Sequence, residues 1–352
     1  MRKRNEANER VKLDYLTFLK DAKGQDETTL DKVASALVQF EESTGFKSFK
    51  AFHRSWAGRF KKHQETRRNS LTGKPLGVTT RDATLRLVKA FVMWLSTQPG
   101  YKSKITYSDA AYFNNNAREA RAAHSPRPVL YPSVEQCAHA FRQMPEASEV
   151  ERRDKAILAF LMLTGARDSA AATLRLGHVD LVEGYVLQDG REVRTKGGKT
   201  IPTWFFPVDP MYRACFEGWV TFLREVRLRG PSDALFPKQS VGVQGGQFTS
   251  LGLTGECYAN GQPINAVVKQ AFTQAGMRAF NAHSLRKTLA MLGDKVCKSM
   301  EDHKAWSMNL GHEHLATTIN SYMPVSTERQ GTLIKSMATP PYGAGADHVP
   351  RS

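Results

Sequence analysis

The stretch AILAFLMLTGAR, residues 156–167, joins the longest apolar run of the chain to a glycine and an arginine. Such a run predicts a buried helix, from about Arg153 to Leu163, because a helix at the surface would carry a polar face. Thr164 and Gly165 should end this helix, since glycine readily adopts the left-handed conformation found at helix ends. The run is far shorter than the ~20 residues that span a bilayer. We therefore expect a core helix with an arginine directly behind its end.

The sequence around this helix predicts a mainly α-helical unit with a small antiparallel β-sheet. A helix is expected over Val134–Met144, and helices should follow again after the sheet. Two runs rich in β-forming residues, Gly184–Val193 and Lys199–Val208, flank a Lys-Gly-Gly turn at 196–198 and predict paired strands. The glycine-rich stretch Val241–Gly261 is interpreted as a surface loop. The fold class expected from these patterns is α+β.

The first 120 residues predict a helical bundle. One helix should be capped by Thr29 and end at Gly45, because its apolar residues repeat at the helical period. Another should start near Thr80 and stop at Pro99-Gly100, and a further one should cover Ser108–Arg121. This part of the chain is thus expected to contain no sheet.

An aromatic stripe follows the first of these helices, with residues three or four positions apart: Phe46, Phe49, Phe52, Trp56 and Phe60. Helical spacing alone explains such a stripe. We therefore interpret it as part of the core rather than as a platform on which bases stack.

Positive charge is concentrated in the first part of the chain. The sequence has 50 basic and 34 acidic residues, a net charge of +16, and a pI near 9.7. The first 130 residues alone carry a net charge of +12, and residues 45–105 hold 14 basic side chains against two acidic ones. Positive charges in such excess repel one another unless a polyanion lies against them. We therefore interpret this part of the chain as a surface that binds double-stranded DNA rather than one that is merely solvated. The candidate DNA contacts are Lys47, Lys50, Arg54, Lys61, Lys62, Arg67 and Arg68.

Three prolines within Arg121–Ser133 predict an extended linker. We expect a helical, DNA-binding first domain over residues 1–120, the linker over 121–133, a second domain over 134–325 and a tail over 326–352.

Cysteine usage and the N-terminus narrow the class of protein. The four cysteines stand far apart without a C-x-x-C pair, which argues against a disulfide framework or a zinc site and fits a reducing cytoplasm. The charged N-terminus is followed by no apolar core, so no secretory signal is expected. We expect a cytoplasmic protein that needs neither a cofactor nor a membrane partner.

Three segments hold strongly polar side chains beside apolar helices. Arg167 follows the helix described first, and the motif His283-Ser284-Leu285-Arg286 places its histidine and arginine on one helical face. Leu310-Gly311-His312 is followed by Ser321-Tyr322. Taken singly, each has an ordinary structural explanation, as an arginine at a helix end, a hydrogen-bonded core histidine or a packing tyrosine.

Taken together and in this order, these segments resemble the tyrosine recombinase (phage integrase) family, from about Ser133 to Tyr322. The resemblance implies that the first domain is a core-binding domain and the second is catalytic. It also implies a role for each polar residue. Arg167 and Arg286 would neutralise the phosphate. His283 would act as base, and His312 would hydrogen-bond the phosphate. Lys196, on a hairpin turn, would protonate the leaving oxygen, and Tyr322 would attack. Lys199, on the same turn, is the alternative lysine.

The sequence departs from the family's pattern at two places. The acidic residue common three positions after the first arginine is replaced by Ala170, while Asp168 lies nearer to that arginine. The nucleophile usually falls nine residues after the second histidine, whereas Tyr322 is ten residues after His312. Tyr322 is nevertheless the only tyrosine between Tyr258 and Tyr342.

The resemblance implies a site-specific recombinase of a mobile element in a prokaryote, acting near the nucleoid. Four protomers would hold two DNA duplexes, with accessory DNA-bending proteins as further partners, and neither metal nor ATP would be needed. Two alternatives stay open: an enzyme that nicks and closes DNA like a type IB topoisomerase, and a DNA-binding protein with a vestigial site. The tail, including 329–337, is compatible both with docking on a neighbouring protomer and with disorder.

Overall fold

The computed structural model describes residues 5–70, 72–125, 130–244 and 247–312, together with Gln330 and Ile334. The chain forms two compact units, Met1–Arg127 and Pro128–Ser352. Within the described ranges no helix is long and apolar enough to cross a membrane.

The first unit is a helical bundle, as the sequence predicts. Its α-helices are α1 Glu6–Thr17, α2 Glu27–Thr44, α3 Ser55–Thr66, α4 Val78–Leu95 and α5 Ala117–His124. A π-helical turn, Phe18–Ala22, continues α1, and 3₁₀ turns occupy Phe49–Ala51 and Tyr107–Phe113. The helix expected over 108–121 is therefore two shorter elements, and α5 extends into the segment expected to be an extended linker.

The ends of α2 show how local chemistry sets its length. The carboxylate of Asp26 accepts a hydrogen bond from the backbone N–H of Thr29 at 2.7 Å, so the cap is Asp26 and the predicted cap at Thr29 is wrong. Aspartate satisfies the free N–H groups of the first turn and favours its positive end. Gly45 ends the helix in the left-handed conformation, with φ of 65°, as predicted.

The aromatic residues form the core of the first unit. Phe49 and Phe60 are fully buried and Trp56 is nearly so, which confirms the core interpretation for these three residues. Phe46 and Phe52 are only half-buried, because the stripe is divided between a 3₁₀ turn and α3 rather than lying on one helix. The core is completed by rings from the neighbouring helices, with Phe40 packed edge-on against Phe60.

The second unit places helices around a small sheet, which confirms the expected fold class. Its α-helices are α6 Val134–Gln143, α7 Glu149–Thr164, α8 Asp168–Ala171, α9 Pro210–Thr221, α10 Gln262–Gln274, α11 Ala282–Val296 and α12 Met300–Asn309. Its strands are β1 Val179–Asp180, β2 Tyr185–Gln188, β3 Ile201–Trp204, β4 Gln239–Gln244 and β5 Gln247–Leu253. A π-helical turn, Phe222–Val226, continues α9, and 3₁₀ turns occupy Leu176–His178 and Lys196–Gly198.

Strands β1, β2 and β3 form an antiparallel sheet in that order, with Val186 paired to Val179 on one side and to Thr203 on the other. The paired strands predicted from the sequence are confirmed, although they are shorter than the two β-forming runs. The chain crosses itself tightly beyond them, because a Cβ on Gly190 would overlap the backbone carbonyl of Gly198. This close crossing fixes the loop that carries Lys196.

The predicted surface loop over 241–261 is wrong in its first part, where β4 and β5 form an antiparallel hairpin. The alternation of Val241 and Val243, followed by the glycine pair 245–246, is a signal for a hairpin. The high glycine content of the stretch concealed it.

The core of the second unit is built on α7. Every residue from Ala156 to Thr164 is at most 2% exposed, which confirms the buried helix expected from the apolar run. Gly165 ends the helix with φ of 58°, as predicted, and the chain leaves the core at Arg167.

Candidate active site

The turn after α7 brings Arg167 to the site. Two features of this turn require glycine at position 165. Its φ is positive, and a Cβ there would lie 2.8 Å from the side chain of Leu310. Arg167 then stands, half-buried, directly before α8. The guanidinium is thus held between core and solvent, where it can meet an anion.

Arg286 joins three separate parts of the chain. Its side chain is 3% exposed and donates hydrogen bonds to the backbone carbonyls of Gly165, at 2.6 Å, and Leu310. The same guanidinium lies 3.0 Å from Nε2 of His312. The ends of α7 and α12 therefore meet at an arginine of α11, as the three motifs together require.

His312 is buried beside that guanidinium, at 7% exposure. Because arginine only donates hydrogen bonds, Nε2 must be the acceptor and the proton of the neutral ring sits on Nδ1. Burial first, and then the charges of Arg286, Arg167 and Lys196, together lower the pKa of His312 to about 4. The ring is neutral at physiological pH.

His283 is exposed and lies one helical turn from Arg286 on α11, whose first turn is capped by Asn281. Desolvation lowers the pKa of His283, the nearby Arg286 and Arg167 charges act in the same direction, and the Asp168 carboxylate opposes them. A neutral imidazole in reach of solvent can accept a proton.

The hairpin turn carries both candidate lysines. Lys196 is exposed at the start of a 3₁₀ turn in which Gly197 and Gly198 have positive φ of 72° and 66°. It lies close enough to His312 for its positive charge to lower the pKa of that ring, although burial and the charges of the two arginines have larger effects. Lys199 is half-buried and, with His312, lines a cavity of about 920 Å³ beside β3 and α12.

The structure thus brings together five of the predicted site residues, Arg167, Lys196, His283, Arg286 and His312, of which the first and last are 145 positions apart in the sequence (312 − 167). Tyr322 lies outside the described residues, as do Ser321 and most of the tail. Ala170 is buried at 1% exposure, so the acidic side chain expected by resemblance has no counterpart there.

The candidate DNA contacts of the first unit are mostly exposed, but several are engaged by the protein. Arg54 donates to the hydroxyl of Tyr112 at 3.3 Å, Lys61 to the carbonyl of Asn114 at 2.5 Å, and Arg67 to Glu42 at 2.7 Å. Lys47, Lys50, Lys62 and Arg68 are exposed. Their role in DNA binding stays a prediction.

Asn265 was not predicted from the sequence: it lies among the site residues without belonging to any of the three motifs. Its side chain donates to Asp168 and accepts from the backbone N–H of Ala282 at 3.1 Å. Asn265 is the fourth residue of α10, past the cap position, so an asparagine there is an available sequence signal that neither the apolar face nor a cap explains.

The pKa of His312 predicts a pH dependence of stability. The unfolded chain binds a proton at an ordinary histidine pKa of about 6.5, whereas the folded chain does so only near 4. The contribution of His312 to the free energy of unfolding is therefore fully present above pH 6.5, and it is lost as the pH falls towards 4. After allowance for screening by solvent, we expect His312 to account for a loss on the order of 1 kcal/mol between pH 7 and pH 5.

Denaturant unfolding of wild type and His312→Gln at the two pH values measures this loss. The substituted chain should lose less stability than the wild type on acidification, while the exposed His139→Gln should follow the wild type. Equal losses in wild type and His312→Gln would contradict the assignment of a buried neutral ring.

The second unit of the chain matches a known protein family. The model of the phage integrase family matches residues 134–329. A curated relative, tyrosine recombinase XerC of Pseudomonas putida, is 28% identical over 169 residues, which are 48% of this chain and 47% of that protein. The chain thus spans about half the length of the curated relative it matches.

Three solved structures share the fold at low sequence identity. A lambda integrase (75–356) dimer bound to a COC′ core site has a TM-score of 0.60 at 13% identity, covering 94% of this chain and 98% of that one. XerH recombinase bound to palindromic difH has 0.56 at 16%, covering 90% and 82%. The Tn1549 transposon integrase in complex with transposon right end DNA has 0.50 at 15%, covering 92% and 98%.

The family model covers more than half of the chain, and its matched region contains all three motifs. This confirms the resemblance drawn from the motifs. The chain belongs to the phage integrase family.

Proposed function

We propose that this protein is a site-specific DNA recombinase that cleaves and rejoins DNA through a 3′-phosphotyrosyl intermediate. The observation that carries the proposal is the convergence of α7, α11 and α12 on the guanidinium of Arg286, beside His312. Two arginines and a neutral histidine gathered in this way suit a phosphodiester in its transition state, where negative charge grows on the nonbridging oxygens.

Each residue has a distinct task in the proposed reaction. Arg167 and Arg286 hold the nonbridging oxygens with permanently charged, planar forks, and His312 donates to one of them from Nδ1. The phenol oxygen of Tyr322 attacks phosphorus and passes its proton to His283. The new tyrosyl–phosphorus bond replaces the bond from phosphorus to the 5′ oxygen, which leaves with a proton from Lys196.

Rejoining is the same sequence in reverse, with a 5′ hydroxyl as the attacking group. The phosphotyrosine conserves the energy of the broken bond, so closing the strand requires no nucleotide. The arginines supply the positive charge that a metal ion would otherwise bring to the phosphate. We therefore propose a reaction without metal or ATP.

The proposed partner is double-stranded DNA, contacted by the basic first unit and by the catalytic unit. The three similar structures contain DNA, one of them the end of a transposon, which supports a role in moving a mobile element. Exchange between two duplexes requires four strand cleavages, so a homotetramer is proposed, with accessory DNA-bending proteins where the site must be folded. The place of action is the nucleoid in a prokaryotic cytoplasm.

A plasmid assay tests this proposal against its alternatives. Repeats found in the DNA that flanks the gene are placed on two supercoiled plasmids, and unrelated plasmids serve as the control. A recombinase joins the plasmids that carry repeats and leaves the control plasmids supercoiled. Relaxation of all plasmids without joining would favour a topoisomerase-like enzyme, and binding without any cleavage would favour a vestigial site.

The choice between the two lysines is tested on a nicked duplex that carries one repeat. We expect Lys196→Ala to lower the cleavage rate on the order of 10²–10⁴-fold, the usual contribution of general acid catalysis. Lys199→Ala is the matched control on the same turn and should cleave much faster. A 5′-thiol leaving group needs no proton and should restore cleavage by Lys196→Ala. The reverse order of the two variants would transfer the role to Lys199.

A further inference from the structure

The side chains of Asp168 and Asn265 connect two parts of the site that are far apart in sequence. Asn265 Nδ2 donates to Asp168 Oδ2, while Asn265 Oδ1 accepts from the backbone N–H of Ala282 at 3.1 Å. Asp168 directly follows Arg167, and Ala282 directly precedes His283. One amide thus links the turn of the first arginine to the first turn of the helix that carries the histidine.

The orientation of this amide follows from its partners. The Ala282 N–H can only donate, so the oxygen of Asn265 faces α11 and its nitrogen faces the Asp168 carboxylate. Ala282 is 2% exposed, and its N–H belongs to the first turn of α11, where helix N–H groups have no partner within the helix. Asn265 therefore satisfies a buried backbone donor and a carboxylate at the same time.

The backbone beside this contact makes room for it. Gly261 precedes α10, and a Cβ there would lie 2.6 Å from Cγ of Asp168 and 2.8 Å from its Cβ. The absence of a side chain at Gly261 lets Asp168 approach α10 within reach of Asn265. The other oxygen of Asp168 accepts from the N–H of Ser169 at 2.8 Å, so both carboxylate oxygens are engaged.

We propose that Asn265 is a positioning residue, which holds Asp168 and the start of α11 so that Arg167 and His283 face the same phosphate. This inference rests on the proposed recombinase function. The proposal also explains how the site can work with an alanine at position 170, where the family commonly carries an acidic side chain. Asp168, one residue after Arg167, supplies a carboxylate instead, and Asn265 holds that carboxylate in place.

A charge swap tests the proposal. Asn265→Asp sets two carboxylates against each other, and they cannot both stay ionised at hydrogen-bond distance. We expect its single-turnover cleavage of the nicked duplex to fall about 100-fold, the size of effect that a small misplacement of reacting groups produces. DNA affinity should stay within about threefold, because Asn265 contacts protein groups.

Adding Asp168→Asn to Asn265→Asp restores the hydrogen bond with donor and acceptor exchanged, and should bring cleavage back to within about fivefold of the wild type. The defect of Asn265→Asp alone, as a ratio to wild type at each pH, should also shrink from pH 8 to pH 6, since protonation of one carboxyl restores a donor. A merely structural defect would show neither recovery. Asn260→Asp is the matched control, because within the described part of the chain the Asn260 side chain serves as an acceptor, from the N–H of Gln262, and aspartate accepts equally well.

If Asn265→Asp does not fold by circular dichroism, Asn265→Ala replaces it, with an expected loss of about tenfold in cleavage rate at unchanged DNA affinity. Wild-type rates in Asn265→Asp or Asn265→Ala, or no recovery in the double variant, would overturn the proposal. Failure of the proposed function gives a different result, since the wild type itself would then form no covalent product with the nicked duplex.

Discussion

Tyr322→Phe is expected to abolish covalent attachment to DNA. Phenylalanine keeps the ring but lacks the oxygen that attacks phosphorus, so cleavage should fall on the order of 10⁴-fold or more, to below detection. Binding to the same DNA should change little, because the arginines and the basic first unit remain. A nicked duplex carrying one flanking repeat, labelled at the strand that becomes attached, measures the adduct as a slower band in a denaturing gel.

Two tyrosines provide controls for this result. Tyr258→Phe removes a hydroxyl from a half-buried residue of the same unit, and should cleave like the wild type. Tyr342→Phe removes the next tyrosine along the sequence and addresses the unusual ten-residue step from His312. An adduct that persists in Tyr322→Phe, or one that is lost in Tyr342→Phe, would remove the central assignment.

The sequence predicts those parts of the fold and site that depend on short-range patterns. The apolar run from Ala156 predicts a buried helix, and Gly165 predicts its end, because both follow from local chemistry. His283 and Arg286 share a helical face by spacing alone. Order along the chain, compared with the family, then groups these residues with Arg167, Lys196 and His312.

Other features depend on contacts that no local pattern contains. The link from Asn265 to Asp168 crosses 97 positions of sequence and is visible only in three dimensions. The carbonyls of Gly165 and Leu310 that Arg286 binds are backbone groups, which a sequence motif does not mark. The β4–β5 hairpin was missed because glycine weakens the strand signal in a stretch that nevertheless pairs.

Arg286 shows why a site residue can be both structural and chemical, and its substitution is the second large expected effect. Arg286→Ala leaves two backbone carbonyls and Nε2 of His312 without the donor they have in the wild type. An unsatisfied buried group costs about 1–3 kcal/mol, so the loss of unfolding free energy should be on the order of 2–4 kcal/mol. Cleavage should fall at least ~10³-fold, because a preorganised donor to the phosphate is also lost.

Arg286→Lys separates the two contributions. An ammonium keeps the positive charge, but its single nitrogen cannot reach two carbonyls and a phosphate as a planar fork does. We expect a folded protein that binds DNA and cleaves about 10²-fold more slowly than the wild type. The matched control is Arg153→Lys, at another buried arginine of the same unit, which donates to the carbonyl of Pro237 at 3.0 Å. It should lose stability, yet keep the cleavage rate of the molecules that remain folded.

All three variants are measured by denaturant unfolding and by single-turnover cleavage of the nicked duplex. The first measurement gives the loss of stability and the second gives the loss of catalysis. If Arg286→Lys cleaves at the wild-type rate, a positive charge at position 286 is sufficient for cleavage and the planar fork is not required. If Arg153→Lys slows cleavage as much as Arg286→Lys does, loss of packing in the second unit explains both. A slow Arg286→Lys beside an active Arg153→Lys would instead require a fork at position 286, since charge and folding are then both retained and only the geometry of donation differs.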